Sequence, residues 1–286
     1  MRLLRSTSVS VLSTLCLLAF SVEVCGQGSG RSNVNQVVLT KITGNVTVTR
    51  ADGTSSRATG TVTGVTEGWT IVTDAGARAS LLFSNGSSVT INENTSVAVA
   101  EFFQTRHSSR TVSTLSSEPS TSTTTLRLDY GELIGSTKSL RQGSKFEVQT
   151  PVGIAGIRGT NWFLRVVRLA SGAYNLIFGL VDGSGYYLPD EPRAVQVGLA
   201  GSQQIEAKLE NGALSVSGLQ NLPTGVSRDV MEIISSTNEL IDDYFDLVAH
   251  APEYNIKGTF STRPDGELQS PTTGASGISS SGSKSP

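Results

Sequence analysis

Thiols, imidazoles and charges are all scarce in this chain, and each scarcity removes a class of function. The two cysteines, Cys16 and Cys25, both fall in the first 26 residues. A chain cut after Gly26 therefore has neither disulfides nor thiolate metal sites. The two histidines, His107 and His250, supply imidazole-based nucleophile–base pairs and zinc sites poorly. Charged residues make up 16%, aromatics 6%, and the formal net charge is −2, so no basic surface gathers for nucleic acid or an anionic membrane. What is abundant is glycine, 30 residues, within a Ser- and Thr-rich background. That is the profile of many short strands joined by tight turns.

The N-terminus carries Arg2 and Arg5, an apolar run from Val9 to Phe20, and small or polar residues from Ser21 to Gly30. This order reads as a secretory signal over residues 1–26, cut after Gly26 or nearer Ser21. The run is too short to span a bilayer, and no later run is longer, so the mature chain is expected to carry no transmembrane helix. Glu23 and Val24 ahead of Cys25 argue against lipoprotein anchoring at that cysteine. Export without cysteine points to a bacterial envelope protein, periplasmic or secreted, held together by an apolar core.

From Val37 the apolar residues recur with a period of two: Val37, Leu39, Ile42, Val46, Val48, Val62, Val65, Ile71. Alternation of this kind marks half-buried strands. Asp52-Gly53, Asp74-Ala75-Gly76, Asn85-Gly86, Asp182-Gly183 and Asn211-Gly212 supply the turns. Asn85-Gly86, entered by Ala79–Phe83 and left by Val89–Ile91, reads as a hairpin. The Ser/Thr run from Arg106 to Thr125 offers little to bury and reads as a mobile surface loop. Strand patterning resumes at Leu126 and continues to about Val216. After Pro223 the spacing changes to three and four through Val226, Val230, Ile233, Ile234, Ile241, Tyr244, Phe245 and Val248. One amphipathic helix over 226–249, packed on the strands, is expected. The Gly-, Ser- and Pro-rich residues 259–286 cannot bury enough to fold and are expected to be disordered. The fold class is thus all-β, short antiparallel strands in a β-roll or sandwich-like domain with one C-terminal helix.

Residues Leu126–Val167 contain Gly131-Glu132-Leu133, Phe146-Glu147-Val148, Thr150-Pro151, the apolar turn Val152–Ile157, Arg158-Gly159-Thr160, and Trp162-Phe163. This succession resembles the FecR domain. A strand over Ile42–Val48 and the hairpin Ala77–Ser87 extend the resemblance to about residues 37–168, with residues 169–222 read as a β extension of the same domain. The resemblance implies an envelope module. The best-known members sense the state of an outer-membrane transporter from the periplasm, with a cytoplasmic anti-sigma segment and a spanning helix ahead of the domain. Here a signal-like segment stands in that place, which counts against direct sigma-factor regulation.

In the motif itself, Pro151 belongs at a strand end, and Gly153, Gly156 and Gly159 allow turns or close approach. Arg158 is suited to bidentate binding of a carboxylate and Trp162 to a flat ligand face, with Thr160 adjacent. The plainer alternative is that Arg158 ties down a loop and Trp162 fills the core. Two carboxylate pairs, Asp129 with Glu132 and Asp190 with Glu191, are the remaining candidates for glycosidase-like chemistry, and neither has a supporting pattern. Ser108 and Ser109 beside His107 are adjacent loop residues and make no oriented triad. No catalytic residue, metal site or cofactor is expected. The reading is an exported, non-catalytic FecR-domain module that binds an envelope protein or glycan. Two alternatives stay open: a sensory regulator relaying an outer-membrane transport signal to a membrane or sigma/anti-sigma partner, and a carbohydrate-binding or adhesive surface protein using Trp69, Trp162 and Tyr187.

Overall fold

The computed structural model of the chain describes residues 36–107, 112 and 114–250. The signal segment with both cysteines, and residues 259–286, lie outside the described residues.

Eighteen strands precede one helix. The first eight are β1 (Val37–Thr43), β2 (Val46–Thr49), β3 (Ser55–Arg57), β4 (Val62–Thr63), β5 (Thr70–Thr73), β6 (Arg78–Phe83), β7 (Ser88–Ile91) and β8 (Thr95–Gln104). They are followed by the long β9 (Ser122–Thr137), then β10 (Lys145–Thr150), β11 (Gly153–Ile157), β12 (Thr160–Arg168), β13 (Tyr174–Leu180) and β14 (Ser184–Pro189). The last are β15 (Val197–Ala200), β16 (Gln203–Glu210), β17 (Ala213–Val216), β18 (Gln220–Asn221) and the helix α1 (Val226–His250).

These strands form two sheets joined through β9. One sheet runs β4-β1-β6-β7-β9-β12-β13-β16, with β17 and β18 on the far side of β16. The other runs β3-β2-β5-β8-β9-β10-β11-β14-β15. The pairing of β9 with β10 is parallel, and the other strand-to-strand ladders are antiparallel. The sheets close as a sandwich, because one buried cluster takes Leu39, Leu81, Ile91 and Leu164 from the first sheet and Val48, Ile71, Val97 and Val148 from the second. Alternation explains the sorting: successive side chains on a strand point to opposite faces.

Chain crossings between the sheets need unusual backbone. The expected strand over Ile42–Val48 is broken at Gly44, whose φ is +72°, and the chain leaves the first sheet there to start β2 in the second. β9 makes the same passage within a single strand. Its first half pairs with β8 and β10 and its second half with β7 and β12, with Gly131 at φ +104° between them. A Cβ on Gly131 would sit 2.4 Å from Thr95 Cα, so glycine is required there for space as well as for conformation. The glycines of the five turn signals read from the sequence all have positive φ.

The reading of Arg106–Thr125 as a loop is corrected at its end. Ser122–Thr125 form the start of β9, where they pair with both β8 and β10. Glu118, Ser122 and Thr124 are buried. Ser122 donates to Glu118 at 2.5 Å and accepts from Asn85 Nδ2 at 3.0 Å, while Arg141 N–H donates to Glu118 at 2.7 Å. The Ser122 hydroxyl is buried by hydrogen bonding and not by apolar packing, a substitution that composition does not reveal.

α1 lies on the outer face of the first sheet. Its stripe Val230, Ile234, Leu240, Ile241, Tyr244 and Phe245 is buried in two apolar clusters, one with Ile134 and Phe163 and one with Val38 and Leu82. Between the clusters the contact is polar. Thr237 Oγ1 lies 3.0 Å from Thr90 Oγ1, and Ser88 donates to Asn238 Oδ1 at 2.7 Å. Thr40, Ser80, Thr90 and Thr237 are all buried, so a band of hydroxyls runs under the middle of the helix.

Candidate functional site

The Arg158–Trp162 segment is the turn that carries the chain from β11 in the second sheet to β12 in the first. Gly159 has φ +113°, and a Cβ there would stand 2.5 Å from Ser139 Cα. The opposing turn at Asp182 clamps the segment. Thr160 donates to the Asp182 carbonyl and reaches its carboxylate at 3.0 Å, and Asn161 N–H donates to the same carboxylate at 2.7 Å. Arg158 N–H donates to Ser184 O at 3.1 Å. Trp162 is 0% exposed, lies across Gly135, meets Phe146 edge-on at 5.9 Å, and donates its indole N–H to Thr137 Oγ1 at 3.1 Å.

Two of the three contact residues suggested by the sequence are therefore corrected. Trp162 is core and Thr160 is a buried turn clamp, and only Arg158 presents its side chain to solvent. The aromatic ligand face fails for the same reason. Tyr187 is 0% exposed with its hydroxyl donating to Val152 O at 2.7 Å, and half-buried Trp69 carries Arg50 over its ring at 5.1 Å. Burial holds the Tyr187 phenol far above its ordinary range, with Asp190 and Glu191 adding to the effect.

The carboxylate pairs are also engaged structurally. Asp129 accepts from Ser96 and lies 3.5 Å from Arg127 Nε. Glu132 receives both Arg165 Nη2 at 2.7 Å and Arg165 Nε at 2.9 Å, and Asn92 donates to its other oxygen at 2.6 Å. Asp190 and Glu191 are exposed in the turn after β14. His107 follows β8, while Ser108 and Ser109 lie outside the described residues. Among the described residues no three His, Cys, Asp or Glu side chains cluster as a metal site.

Where the polar face of the first sheet emerges from under α1, a groove of about 1430 Å³ opens. Ile233, Ser236, Thr237 and Leu240 form its helix wall, and β1, β6, β7, β9 and β12 with the adjoining turns contribute the rest. Its charged lining is Lys41, Arg78, Arg165 and Arg168 against Glu93 and Glu132. Glu132 is paired as described, whereas Glu93 is exposed and accepts the Gly76 N–H at 2.5 Å while keeping its charge. Lys41 sits at φ +49° and its ammonium donates to Ser236 O. Burial lowers its pKa, with the Glu239 charge acting in the opposite direction. Arg78 and Arg168 are exposed, and the ion pairs among the described residues involve neither. Sequence reasoning missed this site because its residues come singly from separate elements, with no spacing to mark them.

Residues 69–184 match the family model described as FecR protein. The chain carries a FecR domain. The family is typically associated with the envelope, and the motif residues 131–163 fall inside the match. The FecR match takes in Arg78, Glu132, Arg165 and Arg168, whereas Lys41 and the helix wall of the groove lie outside it. No curated protein matches the chain. Among solved structures, two crystal structures of a protein assigned as an anti-sigma factor from Parabacteroides distasonis are similar at 15% identity and a TM-score of 0.38, covering 52% of this chain. The match spans 59% of that protein's length. A likeness that loose carries no argument about this chain. No helix among the described residues is long and apolar enough to cross a membrane.

Proposed function

We propose that this FecR-domain chain is an exported, non-catalytic module that binds a protein partner of the bacterial envelope. The observation that carries the reading is the state of the groove. Glu132 is held by Arg165 and Asn92, Glu93 accepts one backbone N–H, and the lining carries four cations against these two carboxylates, with hydroxyls between them. A cation-rich surface of this kind suits recognition of an acidic partner, and the partly buried Glu132, held by an arginine, is poorly placed to exchange a proton with substrate. The FecR match adds an envelope setting.

Glycan recognition is a weaker reading, because Trp162 and Tyr187 are internal, Trp69 is half-buried under Arg50, and the groove offers a single aromatic ring, Tyr130. The family match favours a second reading within the same class, in which partner binding relays a transport signal to a membrane or sigma/anti-sigma protein. A side-by-side retention assay separates them. Purified chain is immobilised and exposed to envelope extract and to peptidoglycan and polysaccharide preparations. The proposal expects saturable retention of one protein partner and none of polysaccharide. Retention of polysaccharide alone contradicts it. Recovery of an outer-membrane transporter together with an anti-sigma protein selects the relay.

A further inference from the structure

We infer that the groove between α1 and the first sheet is the binding site, and that it takes an acidic, extended peptide segment of the partner through Arg78, Arg168 and Lys41. The inference rests on the binding-module reading and deepens it by naming the ligand's chemistry. Size is the first argument. Small-molecule pockets run to about 300–1,000 Å³, and this groove, at about 1430 Å³, exceeds them. It crosses β1, β6, β7, β9 and β12, four strand spacings of about 4.8 Å each, or about 19 Å. That length holds about six residues of extended chain at about 3.3 Å per residue.

Charge is the second argument. Four cations, Lys41, Arg78, Arg165 and Arg168, face two carboxylates, Glu93 and Glu132, so with Arg165 and Glu132 paired to each other the lining keeps a net positive charge. The whole chain is nevertheless at −2. A local positive groove on an acidic chain favours an acidic segment during encounter as well as in the complex. The third argument is composition. Arg78 offers a planar fork suited to carboxylate, the Lys41 ammonium is already partly stripped of water, and the exposed apolar surface of Tyr130 and Val167 on the same lining accepts side chains of an extended strand. Because Lys41 and the helix wall lie outside the FecR match, the site belongs to this chain's combination of domain and helix.

The test uses fluorescence anisotropy with purified full chain and fluorescein-labelled eight-residue peptides alternating Glu, Gln or Lys with Val. The Glu peptide is expected to bind at least tenfold more tightly than the Gln peptide and to weaken as salt rises. The double variant Arg78→Glu, Arg168→Glu is expected to lose about tenfold or more in affinity for the Glu peptide, with its melting transition unchanged because both side chains are exposed. Equal binding of Glu and Gln peptides, or an unaffected double variant, overturns the inference. So does binding to vesicles of anionic phospholipid without binding to the Glu peptide. If the peptides fail while a single envelope protein is still retained, the module reading survives and the acidic ligand falls. If no protein is retained either, both fall.

Discussion

Replacing Trp162 with alanine separates a core role from a contact role. The side chain is fully buried, packs on Phe146 and Gly135, and satisfies its indole N–H on Thr137. Truncating a buried Trp costs about 3–5 kcal/mol from lost transfer energy and the cavity left behind. Losing the hydrogen bond falls within that range, since Thr137 is itself buried and loses a partner. Taking about 4 kcal/mol and a urea m-value of about 3 kcal/mol/M for a domain of this size, the unfolding midpoint falls by about 1.3 M. Against a typical total of about 5–15 kcal/mol, the variant is still folded in water at the upper end and partly unfolded at the lower. Circular dichroism at 218 nm against urea measures this, and Trp162→Phe, which keeps most of the volume, is expected to recover more than half of the loss. A midpoint unchanged by Trp162→Ala would refute the core assignment and return Trp162 to the surface.

Three further outcomes follow from the same structure. Gly131→Ala places a Cβ against Thr95 at a backbone conformation L-residues rarely adopt, so a loss of about 2–4 kcal/mol is expected, read as a lower urea midpoint; wild-type stability would contradict the crossing geometry. Ile234→Ala on α1 removes a 3%-exposed side chain packed with Ile134 and Phe163, for about 2–4 kcal/mol, and is expected to raise hydrogen exchange along α1 before the sandwich core; uniform exchange would show that helix and sandwich unfold as one. Alkaline stability depends on three phenols: Tyr186, raised to about 12 by burial and then by its hydrogen bond to Glu147, Tyr244, raised to about 12 by burial, and Tyr187, raised further. The folded pKa exceeds the unfolded one, so this contribution is complete below about pH 10 and is lost as pH rises from about 10 through 12, where the unfolded phenols ionise first. Absorbance at 295 nm and circular dichroism are expected to change together above pH 10; full ionisation with the fold intact would contradict the burial.

The sandwich and its helix were legible because both rest on periodicity. Leu39, Leu81 and Val97 fall on the inward positions of alternating strands, and the spacing of Val230, Ile234, Ile241 and Phe245 fixes a single helical stripe. The turn signals were legible for a conformational reason, their glycines supplying positive φ. Ser122–Thr125 do not stand out because a buried hydroxyl such as that of Ser122, bonded to Asn85 and Glu118, looks in sequence like a solvated one. The groove leaves no sequence signal for a related reason. Arg158-Gly159-Thr160 and Trp162 stand out as a motif because they build a chain crossing and a core, whereas the groove draws Lys41, Arg78, Arg165 and Arg168 from distant strands. Motifs with tight spacing report geometry that the backbone needs, while a charged surface assembled across a sheet leaves no local trace.

The central claim is that the groove beside α1 is where this chain binds its partner. Photo-crosslinking from two exposed positions tests it: a benzoylphenylalanine at Val167, which lines the groove, and one at Val195, which is 79% exposed and not part of its lining. In envelope extract the account predicts a single dominant protein adduct from position 167, competed by the alternating Glu peptide, and none of it from position 195. An adduct of equal yield from both positions, or one from position 195 alone, would contradict it.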